Sequence, residues 1–284
     1  MRMSLKDKFD KDGYVILENF LSPDEVQRVK EAGLALTKDI DNETDRIVFN
    51  TASGSETKKN RDQYLMQSAD KVCYFYEDGA VGPKGELLVP ADVSLNKVGH
   101  ALAEKIPAFH EATFNDRVRE VCYQLDLKVP VLVQSMYMYK NPKTGSEVGS
   151  HQDSTYLYTE PDSLVGFWIA LDDATLDNGC LWFIPSSHRG GVHCRSKRNP
   201  DLNADEPIIM DRPAPSYPSS SFVSAPVQKG TCVLIHGQVV HRSEPNRSND
   251  SRHAYTFHLY DQGVSKYSPE NWLQREKFPR IYQQ

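Results

Sequence analysis

The sequence contains no apolar run long enough to cross a bilayer as a helix, which takes about 20 predominantly apolar residues. It also lacks an excess of basic residues: 33 Lys and Arg stand against 39 Asp and Glu, and the formal net charge is −6. Because nucleic acids are bound through clustered Lys and Arg, we expect no nucleic-acid partner. The five cysteines are odd in number and form no Cys-x-x-Cys pair, which favours a reducing compartment over a disulfide framework.

Neither end of the sequence carries a recognisable targeting signal. The first six residues lead into charged sequence rather than into an apolar signal segment. The last five residues lack a Ser-Lys-Leu type of peroxisomal ending. Together with the cysteine pattern, these features predict a cytoplasmic protein, and they leave its oligomeric state open.

Length and composition fit an ordinary globular domain. The 284 residues are 39% hydrophobic and 25% charged, close to the usual proportions. Single all-β domains reach this length, so we predict one domain over residues 1–284. Within that domain we expect a helix-rich N-terminal part over about 1–128 and a barrel core over about 129–262.

The N-terminal part carries clear helix signals. Tyr14–Leu17 is strand-like, and Ser22 and Glu25 then form a capping-box pattern around Pro23, the first helical position. A second helix is predicted over residues 95–106. A third helix is predicted from apolar residues that fall on one face, namely Phe114, Val118, Val121, Cys122 and Leu125.

From residue 129 onward the pattern changes to β-branched and aromatic runs. The predicted strands cover residues 129–139, 164–171, 180–184, 231–240 and 253–260. Strands that follow helices, without alternation of the two, predict a mainly β fold with flanking helices, in the form of an antiparallel barrel or sandwich braced by helices on one face.

Two polar segments interrupt these patterns. Residues 189–221 contain five prolines and exceed the length of an ordinary connection. Residues 42–71 are rich in charge and poor in periodic apolar residues. Each segment is either a surface excursion or a lid over a site.

The most informative pattern is the pairing of His151 and Asp153 with a distant His241. Two histidines and one carboxylate are the ligands of a facial triad, which leaves positions on Fe(II) for an organic acid and O₂. On a strand, His151 and Asp153 would point to the same side. A surface histidine beside a hydrogen-bonding aspartate is the competing interpretation. His236 also competes with His241, because both lie at the end of one predicted strand and periodicity does not choose between them.

Sequence context accounts for the remaining histidines without a metal. One of the strand histidines, His253 or His258, is expected to be a hydrogen-bonded core residue. The others lie in predicted helices or beside the long polar segment: His100, His110, His188 and His193.

Arg252 begins the last predicted strand, and the small residues Ala254 and Thr256 follow on its own face. An inward guanidinium there would hold the far carboxylate of a dicarboxylic acid in a bidentate pair of hydrogen bonds. The alternative is a surface ion pair. A metal at one end of a 2-oxoacid and an arginine at the other are what such a site requires.

Several motifs along nearly the whole chain resemble the phytanoyl-CoA dioxygenase family of Fe(II)/2-oxoglutarate oxygenases. They are Asp12-Gly13-Tyr14-Val15, Phe20-Leu21-Ser22, Val133-Gln134-Ser135-Met136-Tyr137, His151-Gln152-Asp153, Asn178-Gly179-Cys180-Leu181-Trp182-Phe183-Ile184-Pro185, His241-Arg242-Ser243, Ala254-Tyr255-Thr256-Phe257-His258 and Ser268-Pro269-Glu270-Asn271-Trp272-Leu273. Such extended similarity is far more specific than any one motif.

The resemblance implies a double-stranded β-helix, the jelly-roll or cupin-like barrel. It implies that His151, Asp153 and His241 are the catalytic metal ligands, and so it selects His241 over His236. The cosubstrate 2-oxoglutarate would be bound by the ligands His151 and Asp153 and by five further residues: Lys97, Met136, Trp168, Ser243 and Arg252.

The implied reaction converts 2-oxoglutarate and O₂ to succinate and CO₂ and hydroxylates a small organic substrate that the sequence does not identify. An acyl-CoA or lipid hydroxylase of the phytanoyl-CoA type is the second interpretation. A zinc hydrolase on the same ligands, or a non-catalytic metal-binding barrel, would have no use for Arg252.

The sequence departs from the family at Pro185-Ser186-Ser187-His188, where the family often has Gly in the position of Ser186. If that glycine has a positive φ angle, Ser186 is predicted to carry modest strain.

Overall fold

Two β-sheets face each other in the computed structural model, which describes residues 3–38, 40, 46–49, 55–201 and 204–282. In these ranges the α-helices are α1 Leu5–Asp12, α2 Pro23–Ala35, α3 Ser55–Met66, α4 Leu102–Lys105, α5 Pro107–Thr113 and α6 Asp116–Gln124. None of these helices combines the length and the apolar character that a membrane crossing needs.

The strands of the same ranges are β1 Tyr14–Leu17, β2 Ile47–Val48, β3 Val72–Tyr76, β4 Leu95–His100, β5 Pro130–Met138, β6 Val148–His151, β7 Thr159–Glu160, β8 Val165–Ala170, β9 Leu181–Phe183, β10 Ser196–Arg198, β11 Ile208–Met210, β12 Val223–Ala225, β13 Cys232–His236, β14 His241–Ser243, β15 Ala254–Asp261 and β16 Lys266–Tyr267. The main sheet has the order β1-β13-β8-β15-β5-β4-β3-β2, and the second sheet has the order β12-β9-β14-β6.

From β5 onward the chain passes repeatedly from one sheet to the other. Strands β5, β8, β13 and β15 belong to the main sheet, whereas β6, β9, β12 and β14 belong to the second sheet. This alternation is the jelly-roll arrangement, and it brings strands that are distant in sequence side by side. The predicted fold class, mainly β with flanking helices, is confirmed, although the two sheets do not close into one hydrogen-bonded barrel.

Each face of the main sheet has its own partner. Phe167 and Ile169 of β8 pack in an apolar cluster with side chains of α2, α5 and α6. Trp168 and Ala170, which alternate with them, pack with Phe183 and other side chains of the second sheet. Because side chains of a strand point alternately to opposite faces, β8 has an outer face against helices and an inner face toward the inter-sheet space.

The predicted N-terminus of α2 is confirmed in detail. Ser22 Oγ accepts a hydrogen bond from the Glu25 N–H, and the Glu25 carboxylate accepts one from the Ser22 N–H, with Pro23 in the first turn. The helix predicted from Val118 and Val121 is also confirmed, as α6.

The helix predicted over residues 95–106 is wrong in its first half. Leu95–His100 is strand β4, which pairs with β3 on one side and β5 on the other. His100 therefore lies on a strand and not in a helix. The apolar residues Leu95, Val98 and Leu102 have helical spacing, but pairing with two neighbouring strands overrides that local pattern.

The separation of helices from strands is also less complete than predicted. β1, β2, β3 and β4 all precede residue 128 and all belong to the main sheet. The N-terminal part thus extends the main sheet at both of its edges.

Candidate metal and organic acid site

The two candidate histidine ligands lie on neighbouring strands of the second sheet. β6 ends at His151 and β14 begins at His241, and the antiparallel register places these two residues directly opposite each other. Their rings are 4.3 Å apart between centroids. The alternation of strands between the sheets therefore brings residues 151 and 241 into contact.

Asp153 lies in a 3₁₀ turn, Asp153–Thr155, and not on the strand that was predicted for it. The chain leaves β6 after His151, and the turn is closed by hydrogen bonds from the Tyr156 and Leu157 N–H groups to the Asp153 carbonyl, at 3.0 and 3.1 Å. The Ser154 N–H donates to the Gly237 carbonyl at 2.8 Å. A residue with a Cβ would not fit at position 237, because the Cβ would lie 2.2 Å from Ser154 Oγ.

His236 and His241 do not share a strand, so the prediction that one strand covers residues 231–240 is wrong. β13 ends at His236, and the chain turns with the Val239 N–H donating to the His236 carbonyl at 2.9 Å. The His236 ring contacts that of His188 in a tilted arrangement, with centroids 4.7 Å apart, and its Nδ1 accepts from the Gln238 N–H. His241 is therefore the one of the pair that faces His151.

The three side chains form a compact cluster. Asp153 Oδ1 is 3.4 Å from His151 Nε2 and 3.6 Å from His241 Nε2. One ligand atom from each of the three residues lies within 4.8 Å of the others, and Asp153 and His241 are buried. These distances suit a single ion held on one face, which is the geometry of a facial triad.

The backbone sets the orientation of both imidazoles. His151 Nδ1 lies 2.8 Å from the Gly149 carbonyl, and His241 Nδ1 lies 3.1 Å from the Val239 carbonyl. A carbonyl only accepts, so each Nδ1 carries the proton and each Nε2 keeps a lone pair aimed at the cluster. These are the partners that the sequence could not identify.

The cluster shifts the titration of its own members. Burial favours a higher pKa for Asp153, but the adjoining histidines outweigh it and hold the pKa of this carboxyl well below its ordinary range. Burial lowers the pKa of His241 to about 4. Burial also opposes the charge on His151, but the hydrogen bond and charge of Asp153 raise the pKa of His151. Asp153 is therefore a carboxylate, ready to bind a cation.

A third histidine that the sequence reasoning missed also touches Asp153. His258 on β15 is 5% exposed, and its Nε2 lies 3.1 Å from Asp153 Oδ2. Gln134 on β5 lies behind it, with its side-chain nitrogen 3.3 Å from His258 Nδ1. The sequence does indicate that His258 faces the site. Alternate residues of a strand share a face, and His258 therefore lies on the same face as Thr256, Ala254 and Arg252.

Arg252 lies away from the metal cluster, just before β15, which begins at Ala254 and not at Arg252 as predicted. It is 1% exposed, and its guanidinium carbon is 5.2 Å from the centre of the Trp168 ring. Its Nη2 donates to Ser243 Oγ at 3.3 Å, whereas Nε and Nη1 have no hydrogen-bond partner in the part of the chain that the structure describes. Burial lowers the pKa of Arg252 to about 10, so the group remains a cation at neutral pH.

Ser243 connects the two parts of the site. His241 and Ser243 are both buried and point to the same side of β14. They are two positions apart along the strand, or roughly 7 Å. Arg252 contacts Ser243, so its unpartnered nitrogens lie within a small molecule's length of His241. We call His151, Asp153 and His241 the metal end of the site, and Arg252, Ser243 and Trp168 the arginine end.

Met136 lies on the inner face of the main sheet between these two ends. Thr256 pairs with Met136 on one side and with Trp168 on the other, which makes a row across β5, β15 and β8. Gly99 continues this row on β4.

Lys97 lies near the far edge of that face. It pairs with Met138, its Nζ is 3.4 Å from the centre of the Phe49 ring, and it is half-buried. Burial, with a contribution from the charge of Arg61, lowers the pKa of Lys97 to about 7. Lys97 thus lies on β4 at the border of the site, at a distance from Arg252.

The long segment 189–221 is anchored beside the metal end. Gln152, between the two ligands, is 1% exposed and donates to the Gly191 carbonyl at 2.9 Å, while its side-chain oxygen accepts from the His193 N–H at 2.8 Å. Further along, Lys58 and Lys59 of α3 pair with Glu206 and Asp205. Parts of both predicted polar segments, 42–71 and 189–221, lie outside the described residues.

The prediction for Ser186 is confirmed. Its φ angle is 64°, in the left-handed region that glycine adopts more easily. The Ser186 N–H and hydroxyl donate to the carbonyls of Asp12 and Lys11, at 2.9 and 2.7 Å, which hold the strained residue against the end of α1.

Facing sheets of jelly-roll topology, with a His-Asp-His cluster and a buried arginine between them, define the class of non-haem metal oxygenases. The family model for phytanoyl-CoA dioxygenase (PhyH) matches residues 9–254. The chain belongs to this family.

Curated relatives cover nearly the whole chain. Phytanoyl-CoA dioxygenase domain-containing protein 1 of Danio rerio is 43% identical over 97% of this chain and 96% of its own length. The homologue of that protein from Caenorhabditis elegans is 41% identical over 98% of both chains.

A solved structure has the same fold at low sequence identity. The epimerase SnoN in complex with Fe³⁺, alpha ketoglutarate and nogalamycin RO has a TM-score of 0.61 and 17% identity, over 98% of this chain and 97% of that one. At this identity the similarity supports the fold, which agrees with the two facing sheets described above.

Proposed function

We propose that this protein is an Fe(II)- and 2-oxoglutarate-dependent dioxygenase that hydroxylates a small organic molecule. One observation carries the proposal: Ser243 lies between two groups. On one side is the cluster of His151, Asp153 and His241, and on the other is the buried Arg252, which has two unpartnered nitrogens among the described residues. Membership in the phytanoyl-CoA dioxygenase family supports it, and the SnoN complex supports the choice of metal and cosubstrate.

The metal end would hold Fe(II) through His151 Nε2, Asp153 Oδ1 and His241 Nε2. When bound, Fe(II) and 2-oxoglutarate supply the oxidative chemistry, in which O₂ converts 2-oxoglutarate to succinate and CO₂ and the second oxygen atom goes to the substrate. The chain itself orients the two histidine ligand atoms, because the carbonyls of Gly149 and Val239 hold the two rings through Nδ1.

The arginine end would bind the far carboxylate of 2-oxoglutarate. A buried guanidinium with two unpartnered nitrogens is costly, and a carboxylate satisfies two of its N–H groups with parallel hydrogen bonds. Ser243 contributes a hydroxyl, and Trp168 and Met136 contribute apolar walls that exclude water from the carbon chain. Lys97 adds positive charge at the edge of the site, which an acidic protein needs when it binds a dianion.

The substrate is proposed only by class. Hydroxylation of a small organic molecule is our first proposal. The name of the family favours one alternative, an acyl-CoA or lipid hydroxylated in the manner of phytanoyl-CoA. A zinc hydrolase or a non-catalytic metal-binding barrel is a less favoured reading, since neither would require the buried Arg252.

We further propose that residues 1–284 form one domain and that the protein acts in the cytoplasm. The integration of β1–β4 into the main sheet supports a single domain. Cys122, Cys180, Cys194 and Cys232 are buried and form no disulfide within the described residues, which supports a reducing compartment.

The test is turnover of 2-oxoglutarate. Protein reconstituted with Fe(II) under anaerobic conditions is exposed to air with labelled 2-oxoglutarate, and succinate and CO₂ are measured. We expect turnover that is lost in His151→Ala and in Arg252→Ala. Failure of the wild-type protein to bind Fe(II) and 2-oxoglutarate at all would overturn the proposal, whereas binding without turnover calls for a screen of substrates.

A further inference from the structure

Asp153 is held from two sides by groups with different tasks. Its Oδ1 faces the two histidines of the metal end, at 3.4 and 3.6 Å. Its Oδ2 faces His258 Nε2, at 3.1 Å. His258 is not a member of the metal cluster, and it comes from β15 of the main sheet, whereas His151 and His241 belong to the second sheet.

We propose that His258 is a positioning residue that keeps Asp153 a one-oxygen ligand and thereby keeps one metal position open. The proposal rests on the proposed function and deepens it. A carboxylate can bind a metal through one oxygen or through both. A hydrogen bond from His258 to Oδ2 opposes the second mode, because Oδ2 would have to leave its donor to reach the metal.

Gln134 selects the tautomer of His258 that this role needs. The Gln134 side-chain N–H donates to His258 Nδ1, so Nδ1 provides the lone pair and Nε2 carries the proton. Nε2 can then donate to Asp153 Oδ2. The two hydrogen bonds thus form a chain in which Gln134 donates to His258 and His258 donates to the Asp153 carboxylate.

Gly166 leaves room for this hydrogen bond. It lies on β8 directly opposite His258. A Cβ at this position would be 3.3 Å from both Asp153 Oδ2 and His258 Nε2, tighter than an ordinary contact. The close approach of strands β8 and β15 and the Asp153 turn around Oδ2 thus depends on a residue without a side chain.

The open position matters because 2-oxoglutarate and O₂ together need three positions on the metal beside the three protein ligands. If Asp153 took two positions, one of them would be lost. Outer-shell partners of metal ligands commonly change metal affinity or activity by about 10- to 100-fold when they are removed. We therefore expect His258 to affect 2-oxoglutarate binding without touching 2-oxoglutarate.

The experiment counts the water molecules on bound Mn(II), by electron paramagnetic resonance in ¹⁷O-enriched water, at saturating metal. His258→Phe keeps a ring of similar size and removes the donor, and we expect one fewer bound water than in the wild type. His258→Gln restores a side-chain N–H donor, and we expect the wild-type number. The same number of waters in His258→Phe as in the wild type would overturn the proposal.

A binding measurement accompanies the water count. With Mn(II) bound, we expect the affinity of His258→Phe for 2-oxoglutarate to fall about 10- to 100-fold, with recovery in His258→Gln. The matched control is His253→Phe, another buried histidine of the same strand region, which lies 2.7 Å from the Tyr137 hydroxyl and makes no contact with Asp153. His253→Phe should keep both the water count and the affinity.

Two further variants keep the proposal testable if His258→Phe does not fold, as judged by thermal unfolding without metal. Gln134→Leu removes the donor to Nδ1, and Gly166→Ala crowds Oδ2. We expect both to lower the water count, and wild-type counts in both would overturn the proposal. If the wild-type protein itself binds no Mn(II), it is the proposed function that fails.

Discussion

The metal end and the arginine end of the site differ in how far the protein satisfies their polar atoms. At the metal end, the atoms that do not face the cluster are hydrogen-bonded: His151 Nδ1, His241 Nδ1 and Asp153 Oδ2 each have a partner. At the arginine end, two nitrogens of Arg252 have no partner among the described residues. The protein alone thus orients the metal end, whereas the arginine end leaves two donors available to the carboxylate that we propose it binds.

This difference has an energetic reason. A metal ion needs its ligands preoriented, because any freedom of the imidazoles and the carboxylate reduces affinity. A buried guanidinium with unpartnered nitrogens lowers the stability of the protein without ligand, and a bound carboxylate removes that destabilisation. The two ends should therefore respond separately to substitution, which the following experiments test in order of decreasing effect.

Asp153→Asn should have the largest effect. It removes the charge that binds the cation and draws His151 and His241 together, so we expect Mn(II) affinity to fall by more than about 100-fold, beyond the usual effect of an outer-shell residue. Titration calorimetry measures this. Asp126→Asn, at an exposed carboxylate, is the control, and wild-type affinity in Asp153→Asn would contradict the assignment of the metal end.

Arg252→Lys should affect the arginine end alone. Lysine keeps the charge but loses the bidentate fork, and one lost charge-assisted hydrogen bond of about 1.5–3 kcal/mol raises the KM for 2-oxoglutarate roughly 10- to 100-fold. Mn(II) affinity should stay unchanged. Arg212→Lys, at an exposed arginine, serves as the control. A parallel loss of metal affinity would show that the two ends are not separable.

Lys97→Met should have a smaller effect that depends on pH. Burial lowers the pKa of Lys97 to about 7, so the side chain is a cation below that pH and neutral above it. We expect the ratio of KM for 2-oxoglutarate, variant over wild type, to be several-fold at pH 6 and to approach one at pH 8.5, as a cation worth about 1 kcal/mol is lost. A ratio independent of pH would exclude the charge as the cause.

Ser243→Ala should have the smallest effect. Ser243 Oγ accepts from Arg252 at 3.3 Å and donates to the Gly179 carbonyl at 3.1 Å. Loss of a hydrogen bond worth about 1 kcal/mol should raise the KM for 2-oxoglutarate only about five-fold, with kcat preserved. An effect as large as that of Arg252→Lys would contradict the small contribution that is expected of the Ser243 hydroxyl.

Much of the site could be predicted because the types of its side chains indicate what they can bind. His151, Asp153, His241 and Arg252 have side chains that suit a metal and an organic acid, and the structure brings the first three together. The capping box at Ser22 was predictable because it depends on residues close in sequence, whereas the positive φ of Ser186 was predicted from the glycine that the family often has at this position.

What could not be predicted depends on pairing between distant segments. β4 has helical apolar spacing, and its place between β3 and β5 makes it a strand. The turn that separates His236 from His241 includes Gly237, which packs closely against Ser154, a residue distant in sequence. Either His253 or His258 was predicted to be a hydrogen-bonded core histidine. Residue parity places His258 on the same face as Arg252, but only the tertiary structure shows that Asp153 lies opposite.

The sequence by itself determined the donors of the site, the family to which the chain belongs and the local signals that begin and end its helices, because these depend on side-chain chemistry and on near neighbours. Only the tertiary structure decided which atoms of those donors face one another. The register of β6 against β14, the turn at Asp153 and the approach of β15 from the other sheet place His151, His241 and His258 around one carboxylate. Such contacts arise from the pairing of strands far apart in the chain, which no local pattern encodes.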